Sequence, residues 1–371
     1  MAFLAPVFQW IEFWPPKPAI WVRIPAGAPP PCGCPFPPEK VKFPSMPITQ
    51  ANSSVLNPFW YDAEWDVSGA FANDRELLLF HDFFLQVFGV KTLRLVHGAP
   101  LCLWNSGRVL PRLLCTAEQI RDAGKAYARR GIAVDLTFSN HLLGKEHLGD
   151  ETGNAILKFF ERNNPTGGNG VIMASEALYA HVKKNYPSLR TVSSIIKVAV
   201  EHGRGKADYY RKLAERFDKV MIHPDDAWNF DMLETLEDKN RYEILVNEYC
   251  VRGCKIRHLH YRSLSQSAIN YFGAKDEEFE KLFPNNGCSD IRRLISSPDR
   301  GTTALSLSEI RRLYDMGFRK FKVQGRGMSN AGGPLFDLLR LVLREDNADE
   351  NFMHRIKLQF LEAIATLNPQ I

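Results

Sequence analysis

Short runs of apolar, β-branched residues alternate with longer amphipathic stretches along most of the chain. Segment 91–98 (KTLRLVHG) is a strand-like run that ends in glycine. Segment 116–131 (TAEQIRDAGKAYARRG) opens on a threonine and closes on Arg-Arg-Gly, which are helix start and stop signals. Further strand-like runs occupy 132–140, 170–175, 190–200, 218–226, 242–250 and 319–327, and a weaker one lies near 59–70.

Eight strand–helix units therefore follow one another in the sequence. Strict alternation favours a parallel sheet covered by helices, and eight units fit a closed (β/α)8 TIM-like barrel. An open, doubly wound sheet is the alternative, but it would normally carry a glycine-rich fingerprint after its first strand, and none is present. We predict an α/β barrel over 55–350, with a C-terminal helix at 351–371 that packs on it.

The first 45 residues do not read as part of a folded domain. Proline is frequent in this segment (FWPPKPA and AGAPPPCGCPFPPEK), and proline removes backbone donors and fixes φ. We predict a disordered arm over 1–45, or an assigned start that lies upstream of the true one at Met46. Cys32 and Cys34 in this segment are discounted as metal ligands.

Composition places the chain among ordinary soluble proteins of 371 residues. The net charge of +5 is compatible with an anionic ligand but does not indicate nucleic acid by itself. Seven cysteines are spread thinly, which favours a reduced, cytoplasmic setting with free or metal-bound thiols. No apolar run is long enough to cross a membrane, and nothing indicates the oligomeric state.

The carboxyl ends of barrel strands carry the active-site groups of such proteins, and this rule selects candidates directly. The residues at predicted strand ends are His97, Asn140, Ser175, Lys197, His223, Asp225, Asp226, Asn247, Glu248, Cys250, Gln324 and Arg326. We expect these side chains to surround a common opening. The Asp225–Asp226 pair could ligate a divalent metal, but a turn and helix cap is favoured there.

Segment 247–261 (NEYCVRGCKIRHLHY) concentrates the candidate chemistry. Two cysteines three residues apart suggest a metal site, with zinc possible if a histidine such as His258 or His260 joins them. The basic residues Arg252, Lys255, Arg257 and Arg262 indicate either a solvated loop or an anion site for phosphate, carboxylate or RNA backbone. An inward-facing Glu248 would need a cation, and Lys322 or Arg326 is the expected partner.

Three segments resemble the collagenase-like peptidase U32 family of barrels. Segment 310–327 (IRRLYDMGFRKFKVQGRG) matches that family's motif at Lys322, Gly325 and Arg326, although Gln324 stands where the family usually has glutamate. Segments 131–140 and 242–261 resemble an early strand that ends in asparagine and the central strand with its Cys-x3-Cys pattern. The resemblance spans roughly 60–345. The family includes peptidases, RNA-modifying proteins and proteins of oxygen-independent hydroxylation, several with an iron–sulfur cluster.

The resemblance implies a 4Fe–4S cluster held by four thiolates. Cys250 and Cys254 would be joined by Cys288 and by Cys102 or Cys115. This chain departs from the family because Cys288 is distant and the fourth ligand is ambiguous. Zinc on the same thiols and plain free thiols remain the alternatives.

These observations give three functional hypotheses. The first is a cluster-binding barrel that modifies or cleaves a larger substrate, whether RNA, peptide or biosynthetic intermediate. The others are a cluster-free peptidase and a non-catalytic barrel that binds RNA or protein. The predicted catalytic residues are Glu248, Lys322, Arg326 and His258, and the predicted substrate-binding residues are Asn140, Arg257, His260 and Gln324.

Overall fold

The computed structural model describes residues 62–106, 115–164, 167–248, 250–270, 303–325 and 332–342. The predicted N-terminal arm and the predicted C-terminal helix lie outside these ranges. None of the helices among the described residues has the length and apolarity needed to span a membrane.

Eight parallel strands pair in sequence order, and β1 closes the ring on β8. The predicted (β/α)8 barrel is therefore confirmed, and the open sheet is excluded. The strands are β1 Glu64–Ser68, β2 Leu95–Gly98, β3 Ala133–Phe138, β4 Gly170–Met173, β5 Arg190–Ser193, β6 Lys219–Ile222, β7 Tyr242–Leu245 and β8 Lys320–Val323.

Helices connect the strands and cover the barrel. They are α1 Asp74–Phe88, α2 Ala117–Arg130, α3 Glu151–Arg162, α4 Glu176–Asn185, α5 Ile195–Val200, α6 Ala207–Arg216, α7 Phe230–Glu234, α8 Arg257–Ile269, α9 Leu307–Asp315 and α10 Gly332–Val342. Short 3-10 turns occupy Lys145–His147, Asp226–Trp228 and Lys239–Arg241. Thr116 and Ser306 begin α2 and α9 with complete capping boxes, so these helix starts were readable from the sequence.

Two segments differ from the sequence prediction. Segment 190–200 is not one strand, because the Ser194 side chain accepts a hydrogen bond from Ile196 N–H and begins α5. Lys197 is therefore a buried helix residue, paired with Glu176 and with Glu201 at 2.6 Å, and not a strand end. The predicted basic loop after Cys254 is also wrong in part, because α8 begins at Arg257.

The apolar core has two parts. The larger part lies between the strands and the surrounding helices, where outward residues of successive strands such as Val96, Leu136 and Val220 pack. A smaller cluster lies inside the barrel and contains Ile172, Val192, Met221 and Leu245, with residues of α5 and Tyr261 of α8 packed against it. Alternation along each strand sends these inward residues to one level of the interior.

Gly170 provides space for a charged side chain in the middle of the barrel. A Cβ atom at this position would fall well inside the van der Waals distance of Asp135 Oδ1 and 3.0 Å from the carbonyl oxygen of Arg190. Asp135 is fully buried and hydrogen-bonded to Arg190, so neither neighbour can move without disturbing the pair. Glycine is therefore required here for steric reasons.

We predict that Gly170→Ala destabilises the protein by about 1–3 kcal/mol, because it overpacks a site whose neighbours are fixed. Gly149→Ala is the matched control, since a Cβ there meets nothing within 4 Å. Urea unfolding followed by circular dichroism would measure both variants. Equal stability of the two variants would show that the Asp135 pair can shift freely.

Candidate functional site

A layer of charged side chains fills the middle of the barrel. Asp66, Asp135 and Glu243 point inward from β1, β3 and β7, and each is at most 1% exposed. Lys219 of β6 donates to Asp135 Oδ2 at 2.9 Å and also to Glu243 Oε1. Arg190 of β5 donates to Asp135 Oδ1 at 2.8 Å. Buried charges require such pairing, because each loses the solvation that water provided.

Lys322 of β8 completes this layer. Its ammonium group is bonded to Asp66 Oδ2 and lies 3.8 Å from Glu243 Oε2. Three carboxylates thus face three cations, counting Lys219 and Arg190 with Lys322. Burial alone would raise the pKa of Asp66, but its hydrogen bond with His97 and the neighbouring Lys322 ammonium group hold that pKa well below its usual value.

Asp66, Asp135 and Glu243 also lie close enough together to act as metal ligands. One oxygen from each lies within 4.8 Å of the others, an arrangement that could hold a metal ion. The ammonium group of Lys219 already contacts two of these carboxylates, Asp135 and Glu243. A divalent cation bound there would have to displace Lys219 or share its oxygens, and the existing pairing already balances the charge.

A cavity of about 130 Å³ lies at the carboxyl-terminal side of this layer. Inward residues from several strands line it, together with residues of the following loops; they include Ser68, His97, Thr137, Ser139, Ile172, Met221, Leu245, Lys322 and Gln324. The cavity thus has a mixed lining, with polar groups from β1, β2, β3 and β8 among apolar side chains. Such a mixed lining is typical of small-molecule sites at this end of a barrel.

His97 joins the charged layer to the cavity. Its Nδ1 lies 2.8 Å from Asp66 Oδ1, and the same imidazole lines the cavity. Burial lowers the pKa of His97 below 6.5, although the neighbouring Asp66 opposes that shift. The ring is therefore neutral at neutral pH, with the buried carboxylate fixing the tautomer and the orientation.

Two buried hydroxyl groups also face the cavity. Ser68 Oγ and Thr137 Oγ1 are inaccessible to solvent, and neither has a hydrogen-bond partner within the described part of the chain. A buried hydroxyl without a partner is unfavourable. A ligand in the cavity would reach these two groups only if the surrounding side chains moved apart.

Cys250 and Cys254 lie beside each other after β7. Their thiols are hydrogen-bonded, and this bond from Cys250 lowers the pKa of Cys254 to about 6, with a further hydrogen bond from the Ile256 backbone N–H. The same bond, together with burial, raises the pKa of Cys250. Cys254 is thus the more acidic thiol of the pair, and Gly253 with φ 68° makes the turn between them.

The other described thiols do not fit a four-thiolate cluster. Cys115 donates to the carbonyl oxygen of Phe71 at 2.9 Å, and burial raises its pKa to about 12. Burial likewise raises the pKa of Cys102, and both residues pack against the main core. No group of three or more close metal ligands within the described ranges contains a cysteine. Cys288 lies outside those ranges.

Glu248 does not pair with Lys322, one of its two predicted partners, and the other, Arg326, lies outside the described residues. Its carboxylate accepts from Gln324 Nε2 at 3.1 Å and from Cys250 N–H at 3.2 Å, while Lys322 pairs with Asp66 instead. Asn247 bonds the backbone N–H and carbonyl of Gln324 and the carboxylate of Asp337. This network ties the ends of β7 and β8 together.

The remaining predicted residues fall in several places. Asn140 is fully buried and donates to the carbonyl oxygen of Ser265 at 3.0 Å, so its amide connects β3 to α8. His258 and Arg257 line a second pocket, and His260 stacks on its neighbour Tyr261. Their functional roles stay predictions. Arg326 lies outside the described residues.

The Asp225 side chain does not cap the 3-10 turn Asp226–Trp228 that follows it. The Asp225 carboxylate instead pairs with Arg204 at 2.6 Å and with Arg257 at 3.4 Å. Asp226 accepts from the Tyr210 hydroxyl at 2.6 Å.

The sequence prediction missed Asp66, Asp135, Lys219 and Glu243. Each is a charged residue within a strand, and Asp135, Lys219 and Glu243 have mostly apolar neighbours there, which is the signal that could have identified them. Buried parallel strands normally read as continuous apolar runs. Charges at inward positions of several strands therefore indicate a polar barrel interior.

The fold and the site define a (β/α)8 barrel with an ionic interior and a cavity of mixed lining at its carboxyl end. Among solved structures, the chain is similar to the one titled "The Structure of the U32 Peptidase Mk0906", at 14% identity and a TM-score of 0.44. The match covers 72% of this chain and 94% of the other. The barrel assignment itself is based on the strand pairing. No protein-family model and no curated protein matches the chain.

We predict that Lys219→Met destabilises the protein by about 3–5 kcal/mol, because Asp135 and Glu243 lose their shared cation. The loss should shrink towards acid pH, because protonated carboxyl groups no longer need a cation. Lys212→Met removes an exposed lysine of α6 and should change stability by less than about 0.5 kcal/mol. Denaturant unfolding at several pH values measures the free energy of unfolding of both variants. Destabilisation of the wild type by a chelator would instead show that a metal ion belongs in this layer.

Proposed function

We propose that this barrel is an enzyme that hydrolyses an acyl bond, in a peptide or an ester, with His97 as general base. The observation that carries the proposal is the His97–Asp66 pair, in which a buried carboxylate orients an imidazole that lines the cavity. A neutral imidazole beside a cavity is suited to accepting a proton near neutral pH.

The chemistry follows from the side chains around the cavity. His97 takes a proton from a water molecule, and the hydroxide adds to the acyl carbon. The Lys322 ammonium group, which lines the cavity, would stabilise the negative oxygen that results. When the intermediate collapses, the leaving amine or alkoxide takes the proton from His97. The cavity is small, so it would take the reacting group of a larger substrate rather than the whole molecule.

Loss of His97 should lower kcat by about 100-fold or more against a fluorogenic peptide library, because general-base catalysis typically contributes that much. Activity of the wild type should fall as pH drops through the lowered pKa of His97, since protonation removes the base. Asp66→Asn should lower kcat as well. His181→Gln, on α4 and hydrogen-bonded to Asn154, is the matched histidine control and should keep full activity. Unchanged turnover in His97→Gln would contradict the proposal.

A cluster-dependent modification is the second candidate, favoured by the contact between Cys250 and Cys254 and the lowered pKa of Cys254. Thiolates are the ligands of iron–sulfur clusters. These two residues would hold one side of a cluster, and further thiols would have to come from outside the described residues.

Anaerobic purification followed by iron and sulfide analysis tests this candidate. A 4Fe–4S protein would contain about four of each per chain and would lose them in Cys250→Ser/Cys254→Ser. The same double variant should leave hydrolysis by the His97 site unchanged. Iron-free protein that still turns over the peptide library would exclude a cluster-dependent reaction and favour the first candidate.

A further inference from the structure

A second pocket of about 430 Å³ lies away from the His97 cavity and shares no lining residue with it. The turn after α5 forms one wall, and the start of α8 forms the other. Its lining residues are Ala199, His202, Arg204, Gly205, Asp226, Lys255, Arg257 and His258. Three of these carry a permanent positive charge, two are histidines, and one is acidic.

Two guanidinium groups lie along this pocket at different depths. The Arg204 side chain is 34% exposed and can reach a ligand. Arg257 is 2% exposed, and its Nη2 donates to the carbonyl oxygen of Val251 at 2.7 Å. Guanidinium groups are the usual protein partners of phosphate and carboxylate groups.

The carboxylates nearby are already engaged. Asp226 lines the pocket, but its Oδ2 accepts from the Tyr210 hydroxyl at 2.6 Å and from Gly205 N–H at 3.0 Å. Asp225 pairs with both arginines, at 2.6 Å from Arg204 and 3.4 Å from Arg257, and also accepts from Gly253 N–H at 2.8 Å. Lys255 is exposed and has no carboxylate partner among the described residues, so three cations face two carboxylates. The positive charge of the pocket is therefore incompletely balanced.

The amino terminus of α8 adds to this potential. The helix has 13 residues, and Ile256 at its N-cap has no side-chain group that accepts a hydrogen bond. No acidic residue lies in its first turn. The partial positive charge of the helix terminus thus acts in the same direction as Arg257 and Lys255.

We infer that this pocket binds the phosphate group of a small phosphorylated molecule. Two guanidinium groups, one ammonium group and the start of α8 line the pocket. This number of positive groups is larger than the single negative charge of a carboxylate would require, and it suits a phosphate group. The volume leaves room for an organic portion beside the phosphate. This site is independent of the proposed hydrolysis.

Isothermal titration with inorganic phosphate at constant ionic strength tests the inference. Saturable phosphate binding is expected, and the affinities for acetate and chloride should be at least 10-fold weaker. Titration with glycerol 3-phosphate then shows whether a phosphate ester binds more tightly than free phosphate. Lys255→Gln should weaken phosphate binding about 10-fold, the loss expected of one charge-assisted contact.

Arg252→Gln is the matched control, because Arg252 belongs to the same segment but lies over the Trp228 ring, 3.3 Å from its centroid, and does not line the pocket. It should change phosphate affinity less than threefold, and His97→Gln should not change it at all. Phosphate binding no stronger than that of chloride, or equal losses in Lys255→Gln and Arg252→Gln, would overturn the inference.

Discussion

The ionic layer at mid-barrel is the constraint on which the rest of the interior depends. TIM barrels are usually filled with branched apolar residues at this level. Here Asp66, Asp135 and Glu243 occupy it and are neutralised by Lys219, Lys322 and Arg190. Removing one member leaves another charge buried without compensation, so the layer must be retained or replaced as a unit.

The same layer positions the candidate catalytic group. Asp66 uses one carboxylate oxygen for Lys322 and the other for His97. The ion pair with Lys322 fixes the position of Asp66, and the hydrogen bond with Asp66 fixes the position of His97. Orientation of the imidazole is therefore a property of the folded barrel, and a bound substrate need not provide it.

Local signals made the fold predictable, because each strand and most helices carry their own pattern. The Thr116 capping box and the short β-branched runs can each be recognised from a few consecutive residues of the sequence. Segment 190–200 was misread because its β-branched residues continue past Ser194, where a side-chain cap starts a helix. The helix that begins at Arg257 was missed because its histidines and arginines leave it without a clear apolar face.

The site was predictable only in part, because its partners are brought together by barrel closure. Cys250 and Cys254 are neighbours in the chain, and their contact was expected. Asp66 and Lys322 are 256 residues apart, and only the pairing of β1 with β8 puts them side by side. The predicted pairing of Glu248 with Lys322 was wrong for the same reason: Lys322 contacts Asp66 of β1, and Gln324 lies beside Glu248.

The missing side chain at Gly170 has an evolutionary consequence. The space it leaves is occupied by Asp135 from the neighbouring strand, so the two positions cannot vary independently. A descendant that acquires a larger residue on β4 must shorten or lose the acid on β3, and then dispense with a positive charge on β5 or β6. Covariation among these four positions would thus distinguish chains that inherit this interior from barrels that share only the fold.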